Sequence, residues 1–126
     1  TGGEVTTAHL ILPMLMIVAA CDAPPDERHH MPGADPANGR AVMERVGCGS
    51  CHQIPGVWPQ GRVGPPLDDF ADSIMIAGRL PNRPETLTRW VRDAPALVPG
   101  TTMPAMPIKE EEARDVAAYL YTLDGR

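Results

Sequence analysis

The chain has 126 residues, 43 % hydrophobic and 21 % charged, which is room for one globular domain and argues against wholesale disorder. Eleven basic against sixteen acidic residues give a formal net charge of −5; Lys109 is the only lysine, and no basic run with interleaved aromatics gives nucleic-acid binding any support. Fifteen prolines exclude a long-helix bundle or coiled coil, and no apolar stretch reaches the ~18 residues of a membrane-spanning helix.

In chain order, Leu10 to Ala20 (LILPMLMIVAA) is an uncharged apolar run of signal-peptide length. It runs into Val18-Ala19-Ala20-Cys21, which resembles the lipobox of bacterial lipoproteins, where the peptidase needs small residues before a Cys that becomes lipidated. Glu4 stands where a basic n-region is expected, and a plain cleaved signal or a short buried helix are the other readings. Residues 1–20 are thus expected to be a lipoprotein-like signal, with Cys21 as lipid anchor. Residues 21–35 (CDAPPDERHHMPGAD) read as a flexible Pro-rich tether in which His29 and His30 are solvated. Residues 36–126 form the domain.

Ala37 to Val46 reads as the first helix, with Ala41, Val42, Met43 and Val46 on one side. Asp35 suits its N-cap, Pro36 its first turn and Gly47 its end. Cys48-Gly49-Ser50-Cys51-His52 follows, and a C-x-x-C-H run reads as the attachment site of a c-type haem. Two thiols add across the haem vinyl groups as thioethers, and the two intervening residues let both sulfurs reach one porphyrin edge. His52 then falls under the iron as proximal ligand. Gly49 and Ser50 are small enough for the backbone to press against the ring edge. Three competitors exist. Zinc needs four donors, and no Cys or His follows His52. A thioredoxin-like pair needs a βαβ frame, whereas a helical pattern precedes this one. A disulfide suits an exported protein but leaves His52 unexplained.

Gly64-Pro65 reads as a turn. A short helix is expected from about Asp69 to Ala77, ending at Gly78. Pro84 to Ala94 carries Leu87, Trp90, Val91 and Ala94, the stripe of an amphipathic helix. Pro99 to Pro107 (PGTTMPAMP) can be neither helix nor strand. A Met on such a stiff loop meets a metal at little entropic cost, and its soft thioether favours ferrous iron. Met103 and Met106 are the candidates; Met43 and Met75 read as core fillers. Lys109 to Leu123 is the last helix, with Ala113, Val116, Ala117 and Leu120 inward and Glu110, Glu111 and Glu112 in the dipole-favoured first turn.

The C-x-x-C-H run, Gly64-Pro65-Pro66-Leu67, Pro99-Gly100-Thr101-Thr102-Met103-Pro104 and Ala117-Ala118-Tyr119-Leu120 together resemble class I cytochrome c in order and spacing, over residues 36–126. The stretch IAGRLPNRPETLTRWVRDAPALVPGTTMPAMP is similar to small bacterial cytochromes that feed terminal oxidases. The resemblance implies an all-α cytochrome c fold, about four to five short helices wrapped around one covalent haem c held through Cys48 and Cys51. It makes Met103 the axial partner of His52, since the family's ligand directly precedes the first Pro of the loop. It has the Pro65 carbonyl accept a hydrogen bond from His52 Nδ1, and it offers Trp90 Nε1, Arg79 and Arg62 to the haem propionates. It pairs Gly39 with an aromatic four residues on, where this chain has Met43. A haem also supplies the bulk that the few aromatics (Trp58, Trp90, Phe70, Tyr119, Tyr121) do not.

The functional expectation is a monohaem electron carrier rather than an enzyme, exchanging single electrons with a terminal oxidase or a quinol-oxidising complex. The partner is met through apolar contact at the haem edge with Arg at the rim. The chain is expected on the periplasmic side of the bacterial inner membrane, held by the anchor at Cys21, which raises its effective concentration near membrane complexes. A fixed subunit of a dehydrogenase or oxidase complex, and a haem enzyme or sensor binding peroxide or small gases, are the other functions this pattern allows.

Overall fold

The computed structural model describes residues 1–3 and 27–126. The apolar run Leu10 to Ala20, Cys21 and the start of the tether lie outside the described residues. Within them the order is a 3₁₀ turn at Glu27–His29, α1 (Pro36–Val46), 3₁₀ turns at Cys48–Ser50 and Phe70–Asp72, β1 (Met75–Ile76), β2 (Leu80–Pro81), α2 (Pro84–Arg92), α3 (Ala94–Leu97) and α4 (Glu110–Leu120). No helix among the described residues is long and apolar enough to cross a membrane.

The start of α1 is fixed by Asp35, whose Oδ1 accepts from the N–H groups of Ala37 (2.9 Å) and Asn38 (3.3 Å). Its end is fixed by Gly47 at φ 81°, whose N–H donates to Met43 O at 3.1 Å. α4 crosses α1 and also packs against α2. The α1–α4 crossing depends on Gly39: a Cβ there would fall 2.0 Å from Asp115 O. Asp115 also accepts from Asp35 N (2.8 Å) and Asn38 Nδ2 (2.7 Å), and Arg45 pairs with Glu112 beside it. The crossing is close although Met43 replaces the family's aromatic, and Met43 is 1 % exposed in the core with Val42, Leu87, Val116, Ala117 and Leu120.

Three elements differ from expectation. The helix expected over Asp69 to Ala77 is one 3₁₀ turn followed by the β1–β2 hairpin, paired Ile76 to Leu80 and Met75 to Pro81. The reason is Asn82. Its amide takes the carbonyls of Phe70 (3.3 Å) and Ser73 (2.8 Å), and its N–H takes that of Ile74 (3.0 Å), so these groups are not left for a helix. The Ile76–Arg79 turn has positive φ at Ala77 (50°) and Gly78 (65°), the conformation of a tight hairpin turn. The helix expected to reach Ala94 ends at Arg92, because Pro95 has no N–H to continue the ladder; Asp93 turns out and caps α3 through Ala96 N at 3.1 Å. α4 stops at Leu120 instead of Leu123, where Thr122 Oγ1 takes the Tyr119 carbonyl at 2.7 Å and Leu123 turns away to accept from Ala71 N at 2.8 Å.

Two smaller expectations are corrected. Met75 is no core filler: it sits on the two-residue strand β1 and is 40 % exposed. Residues 27–35 do not behave as free tether. His29 stacks on Tyr121 with ring centroids 4.1 Å apart, Arg114 donates to Pro32 O at 2.8 Å, and Met31 packs against the core. A planar imidazole finds a better surface on the half-buried phenol ring than in water, so His29 is not simply solvated.

Candidate haem-attachment site

Because Gly47 ends α1 abruptly, the chain turns at once into the 3₁₀ turn Cys48–Ser50. The N–H groups of Cys51 (3.2 Å) and His52 (3.0 Å) both donate to Cys48 O, which locks the two thiols and the imidazole into one compact unit. A second strand of chain runs alongside: Gly61 N donates to Gly49 O (2.7 Å), Gly64 N to Cys51 O (2.8 Å) and Leu67 N to Gln53 O (2.9 Å). The approach leaves no room for side chains. A Cβ on Gly49 would fall 2.3 Å from Pro59 O, and one on Gly61 2.3 Å from Ser50 O. Gln60 braces the intervening loop by donating to Ile54 O and Val57 O, both at 2.6 Å.

The imidazole is held as a ligand should be. His52 Nδ1 lies 2.8 Å from Pro65 O. A carbonyl only accepts, so Nδ1 is the donor, and in the neutral ring that leaves Nε2 as the nitrogen with a lone pair for a metal. Gly64 backs the ring so closely that a Cβ would fall 2.4 Å from Cε1. Gly64-Pro65 is thus both a turn and a seat for the imidazole. Burial pushes the Cys48 thiol up to about 11, while Cys51 is exposed. The two thiols form no disulfide, and among the described residues no three His, Cys, Asp or Glu side chains converge as zinc would require. Two thiols, a histidine with a free Nε2 and a backbone stripped of Cβ atoms fit a thioether-bound haem.

The two methionines part company. Met103 packs, partly buried, against the same core cluster as Cys48 and Leu67. Met106 is tied to α2 through its N–H, which donates to Arg92 O at 2.8 Å, and it borders a groove with Arg89, Arg92, Ala96 and Leu97. Trp90 lies in the core at 8 % exposure, on the inner face of α2. Arg79, in the hairpin turn, and Arg62, beside Gly61, are exposed. A cavity of about 450 Å³ lined by His29, Met31, Asp72 and Tyr121 is bordered by none of these residues.

Sequence reasoning missed the outer brace of the site. Tyr119 Oη donates to Pro55 O (2.6 Å) and Arg40 Nε to Gly56 O (2.8 Å), tying the loop after His52 to α4 and α1. The sequence marks Tyr119 only as part of the run Ala117-Ala118-Tyr119-Leu120, without this role, and nothing local marks Arg40.

Comparison with known proteins agrees with this geometry. Residues 34–120 match the family model described as cytochrome C oxidase, cbb3-type, subunit III. The chain is 38 % identical over 86 residues to cytochrome c oxidase subunit 2 of Alkalihalophilus pseudofirmus, covering 68 % of this chain and 25 % of that one. It is 32 % identical over 89 residues to the subunit 2 of a Bacillus species, with the same shares of 68 % and 25 %. It therefore spans about a quarter of the length of these curated relatives. Among solved structures, SoxXA of P. pantotrophus superposes with TM-score 0.58 at 25 % identity, covering 72 % of this chain and 82 % of that one. The c-type cytochrome SorU of Sinorhizobium meliloti gives 0.51 at 27 % identity, covering 72 % and 92 %. The chain belongs to the cytochrome c oxidase, cbb3-type, subunit III family: it has the cytochrome c fold and is a monohaem c-type cytochrome with covalently bound haem c.

Proposed function

We propose that this chain carries single electrons on the periplasmic side of the bacterial inner membrane, toward a terminal oxidase, held there by a lipid on Cys21. When bound, the haem supplies a one-electron couple between ferric and ferrous iron. Every role of the chain's own residues in this reading is to hold, orient and shield. Cys48 and Cys51 would fix the group covalently, and His52, seated on Gly64 and hydrogen-bonded to Pro65 O, would offer Nε2 to the iron. Met103, packed against the core, would offer its sulfur, and Trp90, Arg79 and Arg62 would answer the propionates. The observation that carries the reading is the His52–Pro65 pair at 2.8 Å, which orients the imidazole and makes it a better donor toward iron. Met103 would supply a second ligand to the iron, which favours a carrier over an enzyme that binds peroxide or a gas.

The second reading, a fixed subunit of an oxidase complex, is favoured by one observation. The relatives named cytochrome c oxidase subunit 2 match over a quarter of their length, so a domain of this kind also occurs within longer oxidase chains. One experiment addresses both. The protein is expressed in a host that attaches haem in the periplasm, and its reduced holoprotein is mixed with a detergent-solubilised cbb3-type oxidase. A carrier is oxidised with saturating kinetics and leaves the oxidase on gel filtration; a fixed subunit co-elutes. No oxidation at all sinks the reading. In the same host Cys21→Ser should move the protein from the membrane fraction to the soluble periplasm; unchanged partition removes the anchor.

A further inference from the structure

The composition of residues 27–35 is that of a free tether, yet the segment is pinned to the domain at regular intervals. His29 stacks on Tyr121 with ring centroids 4.1 Å apart and planes within 11° of parallel. Arg114 donates to Pro32 O at 2.8 Å, and Asp35 N donates to Asp115 Oδ1 at 2.8 Å. All three partners lie on α4 or at its end. Between the pins Met31 packs against the core, and the segment folds on itself through His30 N to Glu27 O (3.3 Å) and Ala34 N to Met31 O (3.2 Å). The seat is already rigid. Tyr121 Oη donates to Asn82 Oδ1 at 3.0 Å, and the Asn82 amide holds Phe70 O and Ser73 O. A segment laid on fixed groups loses only its own freedom.

Docking decides how much chain is left to span. With residues 27–35 seated, five residues, Asp22 to Asp26, separate Cys21 from the domain; with the segment lifted off, fourteen do, Asp22 to Asp35. At ~3.3–3.6 Å per extended residue, the reach from Cys21 is about 20 Å in the first case and about 50 Å in the second. The haem-attachment turn follows the end of α1, and the seated segment leads into the start of that helix. The eleven residues of α1 make a rigid rod of about 16 Å. The height of the turn above whatever holds Cys21 is therefore set by the leash and not by bending of the domain.

We infer that residues 27–35 are a strap whose seat on Tyr121, Arg114 and Asp115 caps the distance between the haem-attachment turn and a lipid bilayer, so that electrons pass only to groups close to the membrane surface. This rests on the lipid at Cys21 in the reading above; the docking of the strap does not. A short leash also keeps the domain at a high effective concentration beside such partners, which a leash of fourteen residues dilutes.

The test places the lipidated holoprotein on vesicles of phosphatidylethanolamine and phosphatidylglycerol, with a fluorophore on some of the headgroups. Haem quenches that fluorophore by energy transfer, so quenching reads the distance from haem to bilayer without any partner protein. Two variants lengthen the leash by different routes. His29→Ala with Met31→Ser and Arg114→Ala frees the strap and leaves Tyr121 in place. A Gly/Ser insertion of about ten residues between Asp26 and Glu27 lengthens the leash with the strap still seated. Each variant is expected to lose quenching about twofold or more. Hydrogen exchange separates them: amides of residues 28–35 stay protected in the parent and the insertion and exchange about tenfold faster or more in the triple variant. Parent quenching no greater than that of the triple variant, with the insertion reduced, overturns the cap and leaves the anchor standing. A parent that does not bind the vesicles overturns the anchor and the cap with it. Unprotected amides in the parent, or protection that survives in the triple variant, overturn the seat.

Discussion

Replacing Gly64 by Ala strikes the support of the proximal ligand without touching the ligand. The added methyl would lie 2.4 Å from Cε1, 2.7 Å from Nδ1 and 2.9 Å from Nε2 of His52. Carbon atoms rest ~3.5–4.0 Å apart, so ring and loop must separate by about 1 Å. That movement strains the 2.8 Å bond from Nδ1 to Pro65 O. Overpacking of this kind costs ~1–3 kcal/mol. Losing the hydrogen bond adds ~0.5–1.5 kcal/mol. The stiffer unfolded chain returns ~0.4–1 kcal/mol. The net loss is about 2 kcal/mol, which for a domain of this size is roughly 10 °C in thermal midpoint. A second effect accompanies it. Without Pro65 O the imidazole is a weaker base, favours ferric iron less, and the reduction potential rises. The assay is thermal unfolding of the holoprotein followed by circular dichroism, together with equilibrium redox titration. Gly39→Ala is the comparison: its Cβ would fall 2.0 Å from Asp115 O, so it jams the α1–α4 crossing and lowers the midpoint with the potential unchanged. A Gly64→Ala protein with the parent's midpoint and potential would refute the seating of His52 by this loop.

Met103→Ala should abolish the weak sulfur-to-iron charge-transfer band at the red end of the oxidised spectrum and lower the potential, whereas Met106→Ala should change both little. The reverse pattern moves the ligand by three residues. Asp35→Ala removes the acceptor for Ala37 N and Asn38 N and should cost about 1 kcal/mol, read as a lower denaturation midpoint with unchanged slope. Burial holds the Tyr121 phenol above its ordinary value. The folded chain therefore keeps that proton where the unfolded chain releases it, and stability falls as pH rises through about 10. In Tyr121→Phe this alkaline loss should shrink; equal pH profiles for the two proteins would count against it.

What the residues alone determine here is the chemistry and its order along the chain. Two thiols separated by two residues with a histidine next are a local fact, whose role follows from covalent spacing; a Gly-Pro turn and a Met between prolines are local too, but their roles are what the resemblance to class I cytochrome c implies. α1 was legible for the same reason: its cap, Pro36 and Gly47 are local signals, and the structure uses all three. The failures are where a distant group competes for the backbone. Asn82 takes the Phe70 and Ser73 carbonyls and makes a hairpin of a sequence that reads as helix. Tyr121 captures His29 from a segment that composition assigns to solvent. Tyr119 and Arg40 reach across from two helices to brace the loop behind His52. Tertiary structure also set the separation of Met103, packed against the core, from Met106, tied to α2, since both precede a proline and local stiffness does not distinguish them. Hydrogen bonds and close approaches between residues far apart in sequence carry no periodicity or spacing, so only the folded chain could decide them.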